Sequence, residues 1–291
     1  MTGTARSAGI SAQAKLNLAL RILGKDDSGY HPLETLFLRI DLADEILIRV
    51  TSGEKSITTT CNVGPAKMNL AYRAAAAYAA ATGWPDGWNI SLDKRIPVGA
   101  GLGGGSANAG AILRALNSMS ENPVSSDDLS GIGATLGADV SFMASDVVFA
   151  FAEGYGERLT TLPPPPVRSV ALAIPSFEVS STDAYRWVDA DRVARPDRER
   201  WDMSGLTWPA LDKLVANDFT PVVSRRHPEI FRLVDAFKRQ GAQAAGMTGS
   251  GSVVFGLFDE RPSESGFSLP GDAKLVWTST SSRVVEPQLM D

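Results

Sequence analysis

The chain has 291 residues, 44% of them hydrophobic and 21% charged, with a formal net charge of −5; that is enough for one large or two ordinary domains with cores of their own. The acidic balance argues against a nucleic-acid partner, since phosphate backbones are gripped by clustered Lys and Arg, yet a local loop can still hold a nucleotide. A single cysteine, Cys61, excludes an intrachain disulfide and a thiolate metal cluster and suits a reducing compartment.

Met1 to Gln13 lack the unbroken apolar core of a signal peptide. Ala14 to Leu23 are interrupted by Lys15, Asn17 and Arg21, so they cannot span a bilayer. The expectation is a soluble, cytoplasmic protein with no membrane partner. Within Ala14 to Leu23, Leu16, Leu18, Leu20 and Ile22 alternate with Lys15, Asn17, Ala19 and Arg21, which predicts a strand with one polar face. A polar turn, Gly24 to His31, leads to a second strand over Leu36 to Val50. The alanine-rich run Asn69 to Thr82 predicts a helix stopped by Gly83, and Trp88, Ile90 and Leu92 predict a strand. Ser106 to Asn117 predicts a helix, with Ile112, Leu113 and Leu116 at helical spacing and Ser106 as its cap. Phe149 to Glu153 reads as strand. The proline run 163–166 favours a stiff extended link and divides the chain into domains 1–162 and 167–291. Beyond it come a strand at Val170 to Ile174 and a mixed stretch of helix and loop, Asp183 to Trp208. Pro228 to Gln240 predicts an amphipathic helix with Ile230, Phe231, Val234 and Phe237 on one face. A second glycine loop, Gly246 to Ser252, feeds an apolar strand, Val253 to Phe258. This mixed order predicts α+β layers, not a doubly wound parallel sheet.

The most informative segment is Pro97-Val98-Gly99-Ala100-Gly101-Leu102-Gly103-Gly104-Gly105-Ser106-Ala107. Five glycines between a strand and a helix let backbone N–H groups close around phosphate oxygens, and the helix N-terminus adds partial positive charge. The Ser106 hydroxyl is placed to touch a phosphate or a bound Mg²⁺. The alternative is a purely structural turn. Gly99, Gly101 and Gly104 also satisfy G-x-G-x-x-G, with Glu121 at the distance of a dinucleotide-binding acid. Glu121, however, lies in the loop Ser-Glu-Asn-Pro, and no Lys-Ser or Lys-Thr follows the glycines as a Walker loop requires.

This loop resembles the P-x-x-x-G-L-G-S-S-A loop of the GHMP kinase superfamily. Its spelling G-L-G-G-G-S-A-N is similar to the branch that acts on a cytidine-diphosphate-linked methylerythritol. That branch also carries an A-K-[IL]-N-L strand, here Ala14 to Leu18, and a D-G-Y-H turn, here Ser28 to His31 with Ser in place of Asp. It has L-G-A-D-V, here Leu136 to Val140, A-x-x-E-G-x-G-E, here Ala150 to Glu157, and S/T-G-[ST]-G, here Thr248 to Gly251. The motifs follow the family order over essentially the whole chain. The resemblance implies a two-domain GHMP kinase fold, with an N-terminal domain like the second domain of ribosomal protein S5 and a ferredoxin-like C-terminal domain.

It also implies roles. Lys15 and Asp139 are the catalytic pair, one stabilising charge and the other accepting or orienting the hydroxyl proton. Residues 97–107 bind ATP, with Asn69 and Lys94 flanking the adenine. Asn17, Tyr30, His31, Ser181, Tyr185, Thr248 and Gly249 meet the substrate, Tyr30 and Tyr185 covering the base and His31, with its backbone, reading its edge. ATP is the co-substrate, Mg²⁺ is held in part by Ser106, and the partner is a small molecule acting on a monomer or homodimer. A sister kinase for homoserine, mevalonate or a sugar, and a non-catalytic sensor on the same fold, stay open as alternatives.

Overall fold

The structure, a computed structural model, describes residues 6–191, 201–203, 205–263 and 267–290. In chain order it runs β1 (Ser7–Ile22), β2 (Leu33–Thr51), β3 (Lys55–Thr59), α1 (Leu70–Thr82), β4 (Gly87–Asp93), α2 (Gly104–Met119), α3 (Ser126–Ala134), α4 (Ala138–Ala144), β5 (Phe149–Glu153) and β6 (Arg158–Thr161). There follow β7 (Ser169–Ile174), α5 (Ser181–Ala190), α6 (Trp208–Leu214), β8 (Ala216–Asn217), α7 (Thr220–Ser224), α8 (Glu229–Arg239), β9 (Ala244–Met247), β10 (Val254–Phe258), β11 (Lys274–Ser279) and β12 (Gln288–Met290). Helices and strands interleave as α+β, as the sequence leads one to expect.

An eight-stranded sheet has the backbone order β12-β1-β2-β4-β3, with β5 and β6 extending from β2 and β8 parallel to β1. A second, antiparallel sheet has the order β11-β7-β10-β9, with α8 against β9 and β10. The strand β12 returns to pair with β1, tying the chain's end to the first sheet. Strand β1 starts seven residues earlier than its alternation predicts, because β12 and β2 flank it from Ser7 onward. Its polar face is not turned to water: Gln13, Lys15 and Asn17 are all buried.

Helix α1 runs as expected, with the Asn69 side chain accepting from Ala71 N–H and left-handed Gly83 as its stop. Helix α2 begins earlier than its apolar spacing suggests. Gly103, at φ 70°, is its cap and accepts at its carbonyl from Ala107 N–H at 2.8 Å. Ser106 therefore lies inside the first turn and is not the cap, correcting the expectation. Gly110 on α2 allows α4 to lie close, since a Cβ there would stand 2.3 Å from the Met143 carbonyl carbon. Helix α8 buries Ile230, Leu233, Ala236 and Phe237. Phe231, expected on that face, is instead 54% exposed, because one residue turns it about 100° off the i, i+3, i+7 stripe. Strand β3 and helices α3 and α4 carry too short a pattern to be legible from sequence. Of the stretch Asp183 to Trp208, residues 183–190 continue α5, while 192–200 and 204 lie outside the described residues.

Candidate active site

The inward polar face of β1 supplies the first functional groups. Lys15 is 3% exposed. Its Nζ donates to Asn17 Oδ1 and, at 3.3 Å, to the Gly101 carbonyl, and lies 3.3 Å from Asp139 Oδ2. Asp139 stands in the first turn of α4 with a third of its side chain open to solvent. Asn17 is itself held on three sides: its Nδ2 donates to Thr35 Oγ1 at 2.8 Å, its N–H to Thr248 Oγ1 at 2.9 Å, and its Oδ1 takes Lys15. The structure thus brings Lys15, Asn17 and Asp139 together, although they come from residues 124 positions apart.

The glycine loop closes over this pair. Gly99, Gly101 and Gly103 all adopt positive φ, 67°, 78° and 70°. The loop is tied down by Lys15 N–H to the Leu102 carbonyl at 3.1 Å and by Val253 N–H to the Ala100 carbonyl at 3.3 Å. Between the loop, the start of α2, Lys15, Asp139 and the start of α5 lies a cavity of about 380 Å³. Pro97, residues 99–106, Asn17, Ser181, Tyr185 and Gly249 line it. Two helix N-termini, those of α2 and α5, face one space, an arrangement suited to anions.

Three expected residues are placed differently. Ala107 is buried beneath the loop at 2% exposure and lines neither this cavity nor the neighbouring hollow. Val98 points into a neighbouring hollow. Thr248 is wholly buried, and its hydroxyl accepts from Asn17 N–H while donating to the Gly101 carbonyl at 3.4 Å. That hydroxyl stitches the two glycine loops to β1 and does not open on the cavity.

The neighbouring hollow, about 220 Å³, is lined by Asn69, Lys94, Val98, Met68 and Asn108 and shares Gly105 and Leu70 with the main cavity. Lys94 is fixed there by Asp44, a fully buried carboxylate on β2. Asp44 also accepts from Asn108 Nδ2 at 2.7 Å and from the N–H groups of Arg95 and Ile96 at 2.6 and 2.8 Å. An acid inside the apolar strand Leu42 to Val50 was the one sequence signal for this anchor.

A third cavity, about 790 Å³, adjoins on the other side and shares Tyr185. Tyr30, His31, Tyr155, Lys25 and Asp189 line it. Tyr30 is 70% exposed, and the His31 and Tyr185 rings lie nearly parallel, 6.0 Å apart. Burial pushes the Tyr185 phenol up from its ordinary value, and the charge on Asp139 adds to this. His31 is not free to read a ligand with its ring: Nδ1 donates to the Leu23 carbonyl at 2.7 Å and Nε2 meets Asp189 Oδ1 at 2.8 Å. The other Asp189 oxygen takes Lys25 Nζ at 2.9 Å. Hydrogen bonds from Lys25 and His31 hold the Asp189 carboxyl below its ordinary value. Ser28, standing where the related turns have Asp, is bonded through N–H and Oγ to Asp26 Oδ1, and Tyr155 donates to the other Asp26 oxygen. Asp26 thus closes the turn, its carboxyl lowered first by Ser28 and then by Tyr155. Lys25, Asp26, Tyr155 and Asp189 carry no local pattern that marks them, since their partners lie more than a hundred residues away or in a turn.

A fold with a cation–carboxylate pair under a strand–glycine loop–helix junction defines a phosphotransferase class, and the comparisons agree. Residues 69–154 match the GHMP kinases N terminal domain and residues 203–266 the GHMP kinases C terminal domain. The chain belongs to the GHMP kinase family and has its two-domain fold. It is 37% identical over 261 residues to a 4-diphosphocytidyl-2-C-methyl-D-erythritol kinase of Geobacillus kaustophilus (strain HTA426), covering 86% of this chain and 88% of the relative. The same named kinase of Desulfitobacterium hafniense (strain Y51) is 39% identical over 250 residues, covering 84% and 85%. A crystal structure of 4-(cytidine 5'-diphospho)-2C-methyl-D-erythritol kinase superposes with a TM-score of 0.74 at 30% identity, covering 94% of this chain and 99% of that one. Homoserine kinase from Cytophaga hutchinsonii shares the fold, with a TM-score of 0.71 at 19% identity over 98% of this chain and 97% of that one. As expected of a GHMP kinase, ATP is the co-substrate. Among the described residues no helix is long and apolar enough to cross a membrane.

Proposed function

We propose that the chain transfers the γ-phosphoryl group of ATP to the 2-hydroxyl of 4-diphosphocytidyl-2-C-methyl-D-erythritol, giving the 2-phosphate and ADP in the non-mevalonate isoprenoid route. The observation that carries this reading is the row of three linked cavities: the Asn69–Lys94 hollow, the Lys15–Asp139 cavity and the Tyr30–Tyr185 cavity, joined through Gly105 and Leu70 on one side and Tyr185 on the other. A purine fits the first, phosphates and the reacting hydroxyl the second, and a nucleobase the third.

In the middle cavity the loop amides and the two helix N-termini hold the phosphates. Lys15, desolvated and fixed by Asn17, stabilises charge developing on the transferred group and on the attacking oxygen. Asp139, beside Lys15 and partly open to the cavity, receives or orients the hydroxyl proton. The donor set suits Mg²⁺: the Ser106 hydroxyl and the Asp139 carboxylate are hard oxygens that both line the middle cavity, and this ion takes its remaining ligands from phosphates and water. When bound it neutralises charge on the phosphate oxygens.

Tyr30 and Tyr185 both line the third cavity and offer it apolar ring surface. The triple glycine and the Tyr30-His31 turn speak against a homoserine, mevalonate or sugar acceptor. Lys15, Asp139 and Ser106 are all retained, which speaks against a non-catalytic sensor. The domains are taken as 1–162 and 167–291. ATP turnover with the cytidyl substrate, set beside mevalonate, homoserine and galactose, is the direct test: an inert cytidyl compound removes this reading. Removal of divalent cations with EDTA is expected to stop turnover, and added Mg²⁺ to restore it.

A further inference from the structure

Asp44 is wholly buried on β2, and its two oxygens divide their work. Oδ1 accepts from the N–H groups of Arg95 and Ile96 at 2.6 and 2.8 Å, which fixes the backbone just before Pro97 and the glycine loop. Oδ2 takes Lys94 Nζ and, at 2.7 Å, Asn108 Nδ2 on α2. An ammonium has three N–H donors and no acceptor. Here Asp44 Oδ2 takes one and Asn108 Oδ1, at 3.1 Å, a second. The third is left for the hollow that Lys94 lines, close to Gly104, where a Cβ would stand 3.3 Å from Nζ. Arg95, the neighbouring cation, is paired with Glu45 and Asp93. A buried ion pair gains little stability over apolar side chains of the same volume, so stability alone does not account for this one.

We infer that Asp44 is a positioning residue for ATP: it does not touch the nucleotide itself, and it holds the Lys94 ammonium where a ring nitrogen of the base can accept from it. This rests on the reading of the Asn69–Lys94 hollow as a purine site. Lysine carries its charge on a flexible four-carbon stem, and ordering such a chain costs rotamer entropy. Asp44 and Asn108 impose that order in the folded chain, so it is not lost again when ATP binds. The carboxylate also balances an ammonium that has been taken out of water, its side chain being 6% exposed. The division between the two oxygens makes the role separable. In Asp44→Asn the amide oxygen, in the Oδ1 place, still serves the two backbone N–H groups. The NH₂ in the Oδ2 place turns donors on Lys94 and Asn108. If Asn108 flips its amide to accept from that NH₂, Lys94 loses its second acceptor as well.

The test uses the full-length enzyme, Asp44→Asn, and the double variant Asp44→Asn with Lys94→Met, which removes both buried charges and so avoids leaving one unpaired. Calorimetry measures the affinity for ATP and for inorganic tripolyphosphate, beside steady-state kinetics and thermal melting. Both variants are expected to bind ATP about tenfold to a hundredfold more weakly, the range for one hydrogen bond to a charged group, and to bind tripolyphosphate as the native enzyme does. The double variant should lose no more ATP affinity than Asp44→Asn alone, since the two residues act as one unit. KM for ATP should rise while kcat holds, because Lys15 and Asp139 stand in the middle cavity. Native ATP affinity in either variant overturns the inference. So does an equal loss for ATP and tripolyphosphate, which would make Asp44 a plain support of the loop. A native enzyme that binds ATP no more tightly than tripolyphosphate removes the purine from the hollow and the inference with it. If ATP binding depends on Asp44 in this way but the cytidyl compound is not phosphorylated, the role of Asp44 stands and the acceptor proposed above is the part that fails.

Discussion

Lys15 and Arg39 face each other across β1 and β2 and hold opposite ends of α4. Lys15 stands against Asp139 in the first turn. Arg39, 1% exposed, donates to the carbonyls of Phe142 and Ser145 at 2.7 and 3.0 Å, at the helix's other end, and to Val147 just beyond at 2.9 Å. Burial pushes its guanidinium down to about 9, which leaves it charged at neutral pH. A cation at a helix C-terminus is favourable, so one cross-strand pair sets where the helix, and with it Asp139, sits. Arg39→Lys keeps the charge but loses the fork that reaches several carbonyls. It is expected to lower kcat by about tenfold to a hundredfold, the cost of a misplacement near 1 Å, with KM for ATP nearly constant. Steady-state kinetics at varied ATP, alongside thermal melting, check this. A rise in KM that tracks a general loss of stability would make Arg39 a plain core residue.

Asp139→Ala should reduce kcat by about 10²- to 10⁴-fold if the carboxylate handles the hydroxyl proton. ATP affinity should hold, because in the proposed function the loop amides and α2 hold the phosphates without it. Nucleotide binding by calorimetry and single-turnover phosphoryl transfer separate the two effects, and unchanged turnover would take Asp139 out of the chemistry.

Gly101→Ala should weaken ATP binding. The position has φ 78°, and a Cβ there would lie 2.2 Å from the Thr248 carbonyl oxygen. Left-handed backbone in a non-glycine residue costs about 1–3 kcal/mol, and the clash forces the two loops apart as well. The expected result is a raised KM for ATP and a lower melting temperature; wild-type values for both would show that the loops have room to move.

Thr248→Val deletes the hydroxyl between Asn17 and Gly101 while keeping the side-chain shape. It leaves the buried Asn17 N–H without its partner, a cost of about 1–3 kcal/mol. Thr248→Ser should restore most of that loss. Equal melting temperatures for the Val and Ser variants would show that the hydroxyl bridge contributes nothing.

Tyr30→Ala should mainly weaken binding of the acceptor, by about 1–3 kcal/mol if one stacked base face is lost. Since Tyr30 lines the third cavity and neither the middle cavity nor the Asn69–Lys94 hollow, KM for ATP should not move. A shift in KM for ATP in its place would remove the base from that cavity.

Much of the site was legible in local sequence because its parts are local by construction. The glycine loop needs backbone N–H groups on consecutive residues, so it is written as consecutive residues, and Lys15 and Asn17 share a face because a strand repeats every second residue. The motifs around Asp139 and Tyr30-His31 were legible by resemblance. Local pattern failed where a single turn of helix decided the outcome, as with Ser106 inside α2 and Phe231 on the open side of α8.

The sequence by itself determined the α+β class, the strand–glycine loop–helix junction and the family. Only the tertiary structure decided what each polar group is bonded to. It set Thr248 between two loops, Arg39 behind α4, Asp44 beneath Lys94, and Asp189 against His31. The physical reason is that a buried or shared polar atom must find a partner, and chain folding supplies that partner from 50 residues away for Lys94 and Asp44, and 158 for His31 and Asp189. Period and propensity describe a residue's own neighbourhood and carry no record of such pairings.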